Sequence, residues 1–459
     1  MDIQTLFTPE VLLILEMAII GAIAFFLIVS KNFTSGIYLW LLTVLFFKYQ
    51  RMEFADSIMP DMDISRIVFV LLLGIFILEV LARKRRIYAF TNIEYSMFFF
   101  CVLAIVSMVW TGSLVKESGG LGIGELLTGY LFPFFMFYVS RHVFDTPEKR
   151  DAFIKFIMVL GAYLCLTAFL EHFNVQALIW PRYILDPAVG IHFERARGPF
   201  AQAAVNGTVL GFVLVSAFLF LFVSDRKKLW RILSWMLLIL SPIAIFFTYT
   251  RASWIGALLG FAVVILYAMR HKKKIFLIIT ILLCCLVALS LFFILDEDTM
   301  HLASRRAGNK NPIYDRLNLY IASMNMFMDH PFLGVGFGKF KERVVDYYEN
   351  IDGIPFRSME VTEHDTFAGI LAEMGMIGFA LIVSIYFLIL SKSIRLYRSL
   401  ARKPGQKAMV AVFWAIMAVF VVNSLFIEMR YFEFANSLFF IFAGIIYGWE
   451  RHHNTALAR

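Results

Sequence analysis

Charged residues are scarce in this sequence. Only 17% of its 459 residues are Asp, Glu, Lys or Arg, against 60% apolar or aromatic, and the mean hydropathy of +0.76 rules out an ordinary soluble domain. Cysteine is sparse too. All four, Cys101, Cys165, Cys284 and Cys285, lie inside apolar runs, which argues against a disulfide framework or a metal-ligand set and reads them as small buried hydrophobes. Repeats of 20–50 residues, low-complexity tracts and Gly-Ser linkers are missing, so neither a solenoid nor a tethered second domain is expected. Met1 to Glu10 contains no Lys or Arg ahead of the first apolar run, and no small-residue cleavage site follows. A removable signal peptide is therefore not expected, and the first run should stay as a helix.

What the chain has in abundance is long hydrophobic runs. They occupy 11–30, 35–47, 67–82, 95–111, 123–140, 153–171, 203–224, 231–249, 252–269, 275–295, 366–391, 408–427 and 434–449. A helical crossing of a roughly 30 Å hydrocarbon core takes about 20 apolar residues. The expectation is an all-α polytopic membrane protein of 12–13 transmembrane helices, forming a single membrane domain over 1–459 with no room for a separate catalytic domain. The run at 35–47 is short for a span and compatible with a tilted, re-entrant or hairpin segment.

The net charge of +8 sorts by topology before it says anything about nucleic acid, which is not an expected partner. Arg83 to Arg86, Arg141 with Lys149 and Arg150, Arg226 to Lys228, Arg270 with Lys272 to Lys274, and Lys392 to Lys407 fall in alternate loops. By the positive-inside rule those loops are cytoplasmic. The C-terminus is then cytoplasmic, and residues 296–365, the largest polar segment, form one long extracytoplasmic loop where substrate contacts are expected.

Polar residues at the outer boundary of the membrane are costly and usually paired with something. Four places carry them. Glu194-Arg195-Ala196-Arg197-Gly198-Pro199-Phe200 precedes the run that begins near Ala203, with Gln202 and Asn206 entering it. Placing Arg197 at a helix N-terminus would join a guanidinium fork to unsatisfied N–H groups, a combination suited to phosphate; simple snorkelling to lipid headgroups is the bland alternative. Thr248-Tyr249-Thr250-Arg251-Ala252-Ser253-Trp254 interrupts two runs and leaves only a tight turn, where Arg251 is hard to explain as a solubilising charge. Asp315-Arg316-Leu317-Asn318 opens an amphipathic stretch, with Leu317, Tyr320, Ile321, Met324 and Met328 at helical spacing, that ends at Asp329-His330-Pro331-Phe332-Leu333-Gly334-Val335-Gly336-Phe337-Gly338. That stripe reads as packing or interfacial anchoring. The glycines there lack the strand and lysine of a nucleotide-binding loop. Last, Glu363-His364-Asp365-Thr366 stands at the mouth of the run 366–391, which contains Glu373. Carboxylates on both sides would raise the pKa of the His364 imidazole and could hold it as a base, and Glu373, deep in the run, calls for an arginine partner.

Together these blocks resemble the O-antigen ligase and O-antigen polymerase superfamily of bacterial membrane glycosyltransferases, a C-type glycosyltransferase-like fold. The resemblance rests on Arg197-Gly198-Pro199-Phe200 with Asn206, Thr250-Arg251-Ala252-Ser253, Arg316 through His330-Pro331-Phe332-Leu333-Gly334-Val335-Gly336, and His364-Asp365-Thr366 through Ala372-Glu373-Met374-Gly375-Met376-Ile377-Gly378, in the family's order over about 195–391. It implies a saccharide passed from an undecaprenyl-diphosphate-linked glycan to a lipid or saccharide acceptor hydroxyl at the outer face of the bacterial cytoplasmic membrane, without nucleotide sugar, metal or cofactor. By resemblance Arg197, Arg251 and Arg316 bind the diphosphate. His364 takes the acceptor proton with inversion at the anomeric carbon, supported by Glu363, Asp365 and Glu373. Two departures stand out: Asp365 sits where the family more often has an amide, and Gln202-Ala203 replaces an Asn-Pro-Asn-like turn. Ligase and polymerase share this set and are not separated by it.

Two other classes compete. Asp61-Met62-Asp63 could hold a hard cation in a metal-dependent oligosaccharyltransferase, or could equally be a solvated loop. A transporter or flippase of lipid-linked glycan would also use a dozen helices and intramembrane charge. The outer charges here cluster at one face and not at the midplane, which favours chemistry at a surface. A scaffold within an envelope-assembly complex is a third possibility.

Overall fold

A computed structural model describes residues 21, 25–26, 29, 31–48, 51–52, 62–85, 87–114, 122–222, 228–271, 311–349, 365–400 and 404–457. The chain divides into a unit of residues 1–89 with 142–144 and a larger unit of 90–141 with 145–459. In the first, helix α1 (Phe33–Phe46) is capped by Asn32 and packs on α2 (Ile64–Leu81), Trp40 against Phe69 and Phe33 against Phe76, each ring pair 5.7 Å apart. A two-residue antiparallel pair, Arg51–Met52 with Met62–Asp63, ties their connection. Asp63 is the N-cap of α2, accepting from the Arg66 N–H at 2.8 Å and the Ser65 hydroxyl at 2.6 Å. Asp61 lies outside the described residues.

The larger unit contains α3 (Asn92–Thr111), α4 (Ile123–Val143, whose last residues count with the first unit), α5 (Pro147–His172), α6 (Ala203–Ala217), α7 (Lys228–Phe247) and α8 (Arg251–His271). It continues with α9 (Asn311–Asp329), α10 (Thr366–Ser399), α11 (Pro404–Ser424) and α12 (Glu433–Leu457). Among the described residues, eight helices are long and apolar enough to cross a membrane, and Phe33–Phe46, Ala203–Ala217 and Glu433–Trp449 are shorter apolar helices. This is an all-helical polytopic membrane protein, as the hydropathy pattern requires. Of the thirteen apolar runs, 275–295 and most of 11–30 fall outside the described residues.

Small residues let the central helices approach closely. Gly207 and Gly211 on α6, and Gly256 and Gly260 on α8, are each spaced by four. A Cβ at Gly256 would meet Asn423 Nδ2 at 2.6 Å, at Gly260 Val419 Cγ2 at 2.6 Å, and at Gly207 Ser253 Oγ at 2.5 Å. The α6–α8–α11 contact is thereby set nearly backbone to backbone. Two of the basic residues counted for topology turn out to be interior. Arg141 is fully buried and paired with Glu94 of the α3 capping box, and Arg150 is buried with its guanidinium 4.8 Å from the Trp449 ring centroid.

Helix α10 is broken. Gly375 takes φ 60°, ψ −162°, and the freed backbone groups are met by the segment after α9. The Val335 and Gly336 N–H groups donate to the Ala372 and Glu373 carbonyls (2.9 and 3.0 Å), while Met376 N–H donates to Pro331 O (2.8 Å) and Ile377 N–H to Phe332 O (3.3 Å). This contact leaves no space for side chains. A Cβ on Gly334 would lie 2.2 Å from the Glu373 carbonyl carbon, and one on Gly375 2.4 Å from that of Phe332. The glycines that superficially suggested a phosphate loop therefore serve close backbone approach, and Gly334 and Gly375 also occupy the positive-φ region that other residues avoid.

Candidate functional site

Among the described residues, contacts link the polar segments singled out in the sequence: Ala196 N–H donates to Phe247 O, Ser253 meets Ala204, and Arg316 lies near Arg251. Arg251 is the first residue of α8, exposed, and its backbone is fixed from two sides. Before it, the 248–250 turn is closed by Thr248 Oγ1 donating to Ile245 O and Thr250 Oγ1 to Thr248 O. After it, Ser253 Oγ lies 3.2 Å from both the Ala204 carbonyl of α6 and Asn423 Oδ1 of α11. The Thr-Arg-Ala-Ser block is thus a three-helix anchor that carries an exposed arginine.

Arg316, in the second turn of α9, is also exposed, and its guanidinium carbon stands 5.5 Å from the Phe426 ring centroid. Partial burial and the like charge of nearby Arg251 together lower its pKa. The fold therefore brings two guanidinium groups together at its surface. The buried face of α9 is Leu319, Ala322 and Met326, packed with Phe340, Val344 and Ala372. Of the expected stripe, Leu317, Tyr320 and Met328 are exposed, because the packing face of α9 is the line of Leu319, Ala322 and Met326.

Arg197 is placed differently. It is fully buried, and α6 begins six residues later at Ala203, so Arg197 is not at that helix's N-terminus. Its Nη1 donates to Val189 O (2.5 Å) and its Nη2 to Ile184 O (2.7 Å) and Asp186 O (2.5 Å), with the Phe193 ring centroid 4.7 Å away. The N–H groups of Arg197 and Gly198 both donate to the Glu171 carboxylate at the end of α5 (3.1 and 2.9 Å). Asn206 Nδ2 donates to Ala196 O at 3.0 Å, and a Cβ at Gly198 would press on Asn206. The Arg-Gly-Pro-Phe…Asn block is a folded turn in which both Arg197 Nη groups, the Arg197 and Gly198 N–H groups and Asn206 Nδ2 bond to the protein itself.

Glu363 and His364 lie outside the described residues. Asp365, next in the chain, is the N-cap of α10, accepting from Phe367 N–H (2.8 Å) and Ala368 N–H (3.1 Å); burial raises its pKa, against the effect of these two donors. Glu373 is buried and does have an arginine partner, Arg430, whose Nη1 is 2.5 Å from Glu373 Oε2. Its other oxygen accepts from Phe340 N–H at 3.0 Å. Arg430 also lies 3.6 Å from Glu428 and 3.9 Å from Glu125 of α4, and its backbone packs on Gly129 in a π-helical turn of that helix. Neither Arg430 nor Glu428 nor Glu171 was singled out from the sequence. Arg430 was accessible to the reasoning applied to Arg251, since Glu428-Met429-Arg430 is likewise a charged triplet in a short turn between two apolar runs.

The fold defines a polytopic membrane protein, with Arg251 and Arg316 exposed near each other and the half-buried Asp365 capping α10. A family model described as O-antigen ligase matches residues 235–383, and this match supports the O-antigen ligase and polymerase superfamily for the chain. The matched stretch contains Arg251, Arg316, His364, Asp365 and Glu373, and ends short of Arg430. No curated protein matches the chain.

Proposed function

We propose that the protein transfers a saccharide from a polyprenyl-diphosphate carrier to an acceptor hydroxyl, as a ligase or polymerase of bacterial cell-surface polysaccharide, at the outer face of the cytoplasmic membrane. The observation that carries this reading is the approach of Arg251 and Arg316. Two like charges brought near each other at a surface favour an anion beside them, and a diphosphate supplies two negative groups for a pair of guanidinium forks. As the anomeric carbon–oxygen bond breaks, the electron pair leaves with the diphosphate, and the arginine pair stabilises the growing charge without a metal. The acceptor oxygen attacks the opposite face of the anomeric carbon, giving inversion, and its proton passes to His364, next in sequence to Asp365 at the mouth of α10. Glu363 and Asp365 bias that base electrostatically, and Glu373 ties the mouth to its surroundings. Arg197 contributes by holding the 184–189 segment in place, not with a free guanidinium.

The break in α10 would suit a transporter if it opened a cavity, but its backbone groups are occupied by residues 331–336. The test is the full chain in liposomes, in EDTA, with labelled undecaprenyl-diphosphate oligosaccharide, with and without a lipid-core acceptor. Transfer that survives EDTA and is lost in His364→Ala supports the reading. A ladder from donor alone marks a polymerase, and product only with the lipid core marks a ligase. Donor moved across the bilayer but covalently intact would overturn the proposal in favour of transport.

A further inference from the structure

The eight-residue connection between α11 and α12, residues 425–432, touches Arg316, the first residue of α10 and Glu373. Its Phe426 ring lies under the Arg316 guanidinium. Its Ile427 carbonyl accepts from Thr366 Oγ1 and its Met429 N–H donates to the same oxygen, both at 2.9 Å, pinning the first residue of α10. Its Arg430 reaches Glu373 at 2.5 Å, and Glu373 in turn holds Phe340 N–H beyond the segment that fills the helix break. Arg430 is itself 1% exposed and has no route to a substrate. We infer that this connection is a bracket that fixes the Asp365 end of α10 against the Arg251–Arg316 pair, with Arg430 and Glu428 as its positioning residues. The inference rests on the transfer reading above and extends it to residues outside the matched family region.

The charge count around Arg430 says how the bracket holds. Glu373, Glu428 and Glu125 surround a single guanidinium, so full ionisation would leave two excess negative charges in a buried place. Glu428 relieves this by staying protonated. Burial pushes its pKa up to about 8, helped by Asp365 and Glu125, against the Arg430 N–H and Thr366 side chain that bond to it. Tyr130 of α4, Tyr386 of α10, and Glu373 and Tyr431 also face it electrostatically. A carboxyl held above its ordinary value is neutral below its folded-state pKa. The bracket is accordingly complete at acid and neutral pH and loosens as pH rises through about 8.

The experiment uses the full chain in liposomes with undecaprenyl-diphosphate-linked oligosaccharide as donor, read by transfer kinetics and by hydrogen exchange. Arg430→Ala should speed amide exchange across 366–376 while the middle of α12 keeps its protection. It should lower kcat about 100-fold, the loss typical of an angstrom-scale misplacement, with donor KM within about twofold. Arg430→Lys should recover part of both. Glu428→Gln, which fixes the neutral form, should match wild type at neutral pH and keep its rate above pH 8, where wild type declines. Wild-type exchange at 366–376 in Arg430→Ala, or an alkaline decline in Glu428→Gln identical to wild type, overturns the bracket. If Arg430→Ala does not fold, Arg430→Lys and Glu428→Gln decide by the same two readouts. Exchange reports on the bracket even without turnover, whereas undiminished transfer in Arg316→Ala would overturn the transfer site and leave the exchange result standing.

Discussion

Arg197 is enclosed, with its fork on three backbone carbonyls, whereas Arg251 and Arg316 lie at the surface within reach of each other's charge. Along the sequence the three are alike, each an arginine in a polar stretch outside the hydrophobic runs. The difference lies in what the surrounding backbone offers. Residues 184–189 fold back and present carbonyls, which fill a guanidinium as well as a phosphate would, while the α7–α8 turn spends its own carbonyls on Thr248, Thr250 and Trp254. The fork of Arg197 is held by the backbone, whereas the proposed diphosphate role falls to the two arginines at the surface.

The contrast can be broken most directly at the exposed pair. Arg251→Ala and Arg316→Ala should each lower transfer by a factor on the order of 100 to 1,000, about 3–4 kcal/mol of transition-state stabilisation, with unchanged protein abundance. Wild-type rates in either, on the liposome gel assay, would end the comparison. Arg197→Ala should act on the other side of it. Three buried carbonyls lose their donors, and thermal unfolding in detergent should show a loss of about 3 kcal/mol, with donor KM in the folded fraction unmoved. The donor affinity of Arg197→Ala is the sharpest discriminator, since a selective rise in KM would return Arg197 to the binding set.

Smaller effects separate geometry from charge. Gly375→Ala forces a Cβ to within 2.4 Å of the Phe332 carbonyl carbon at a positive φ, and should cost about 2 kcal/mol of stability in the same unfolding measurement. Arg316→Lys keeps a point charge for phosphate but loses the fork over Phe426. Its transfer rate should fall about tenfold, roughly 1.4 kcal/mol, clearly less than in Arg316→Ala.

Hydropathy alone was enough to place the apolar helices among the described residues, because each span must hide its whole backbone from lipid and so carries a long apolar run. The run at 203–224 begins where α6 begins, at Ala203, and the run at 366–391 begins at the Asp365 cap. The need of Glu373 for an arginine was also legible, since a carboxylate that deep is costly alone. Which arginine answers it was not, because Arg430 is 57 residues away and only the fold brings them together. The enclosure of Arg197 was hidden for the same reason: its partners are carbonyls, which every residue carries and no sequence advertises. Nor could the glycines at 334 and 375 announce their shared contact, because each reads as ordinary in its own segment.

The splice between residues 331–338 and the break in α10 carries a consequence for how the protein folds. A membrane helix interrupted at Gly375 has backbone groups that lipid cannot satisfy, and here their partners come from a segment synthesised earlier. The interrupted span is therefore satisfied only when that segment lies folded against it. Completion of α10 thus depends on residues 331–336, and the two segments fold as one unit.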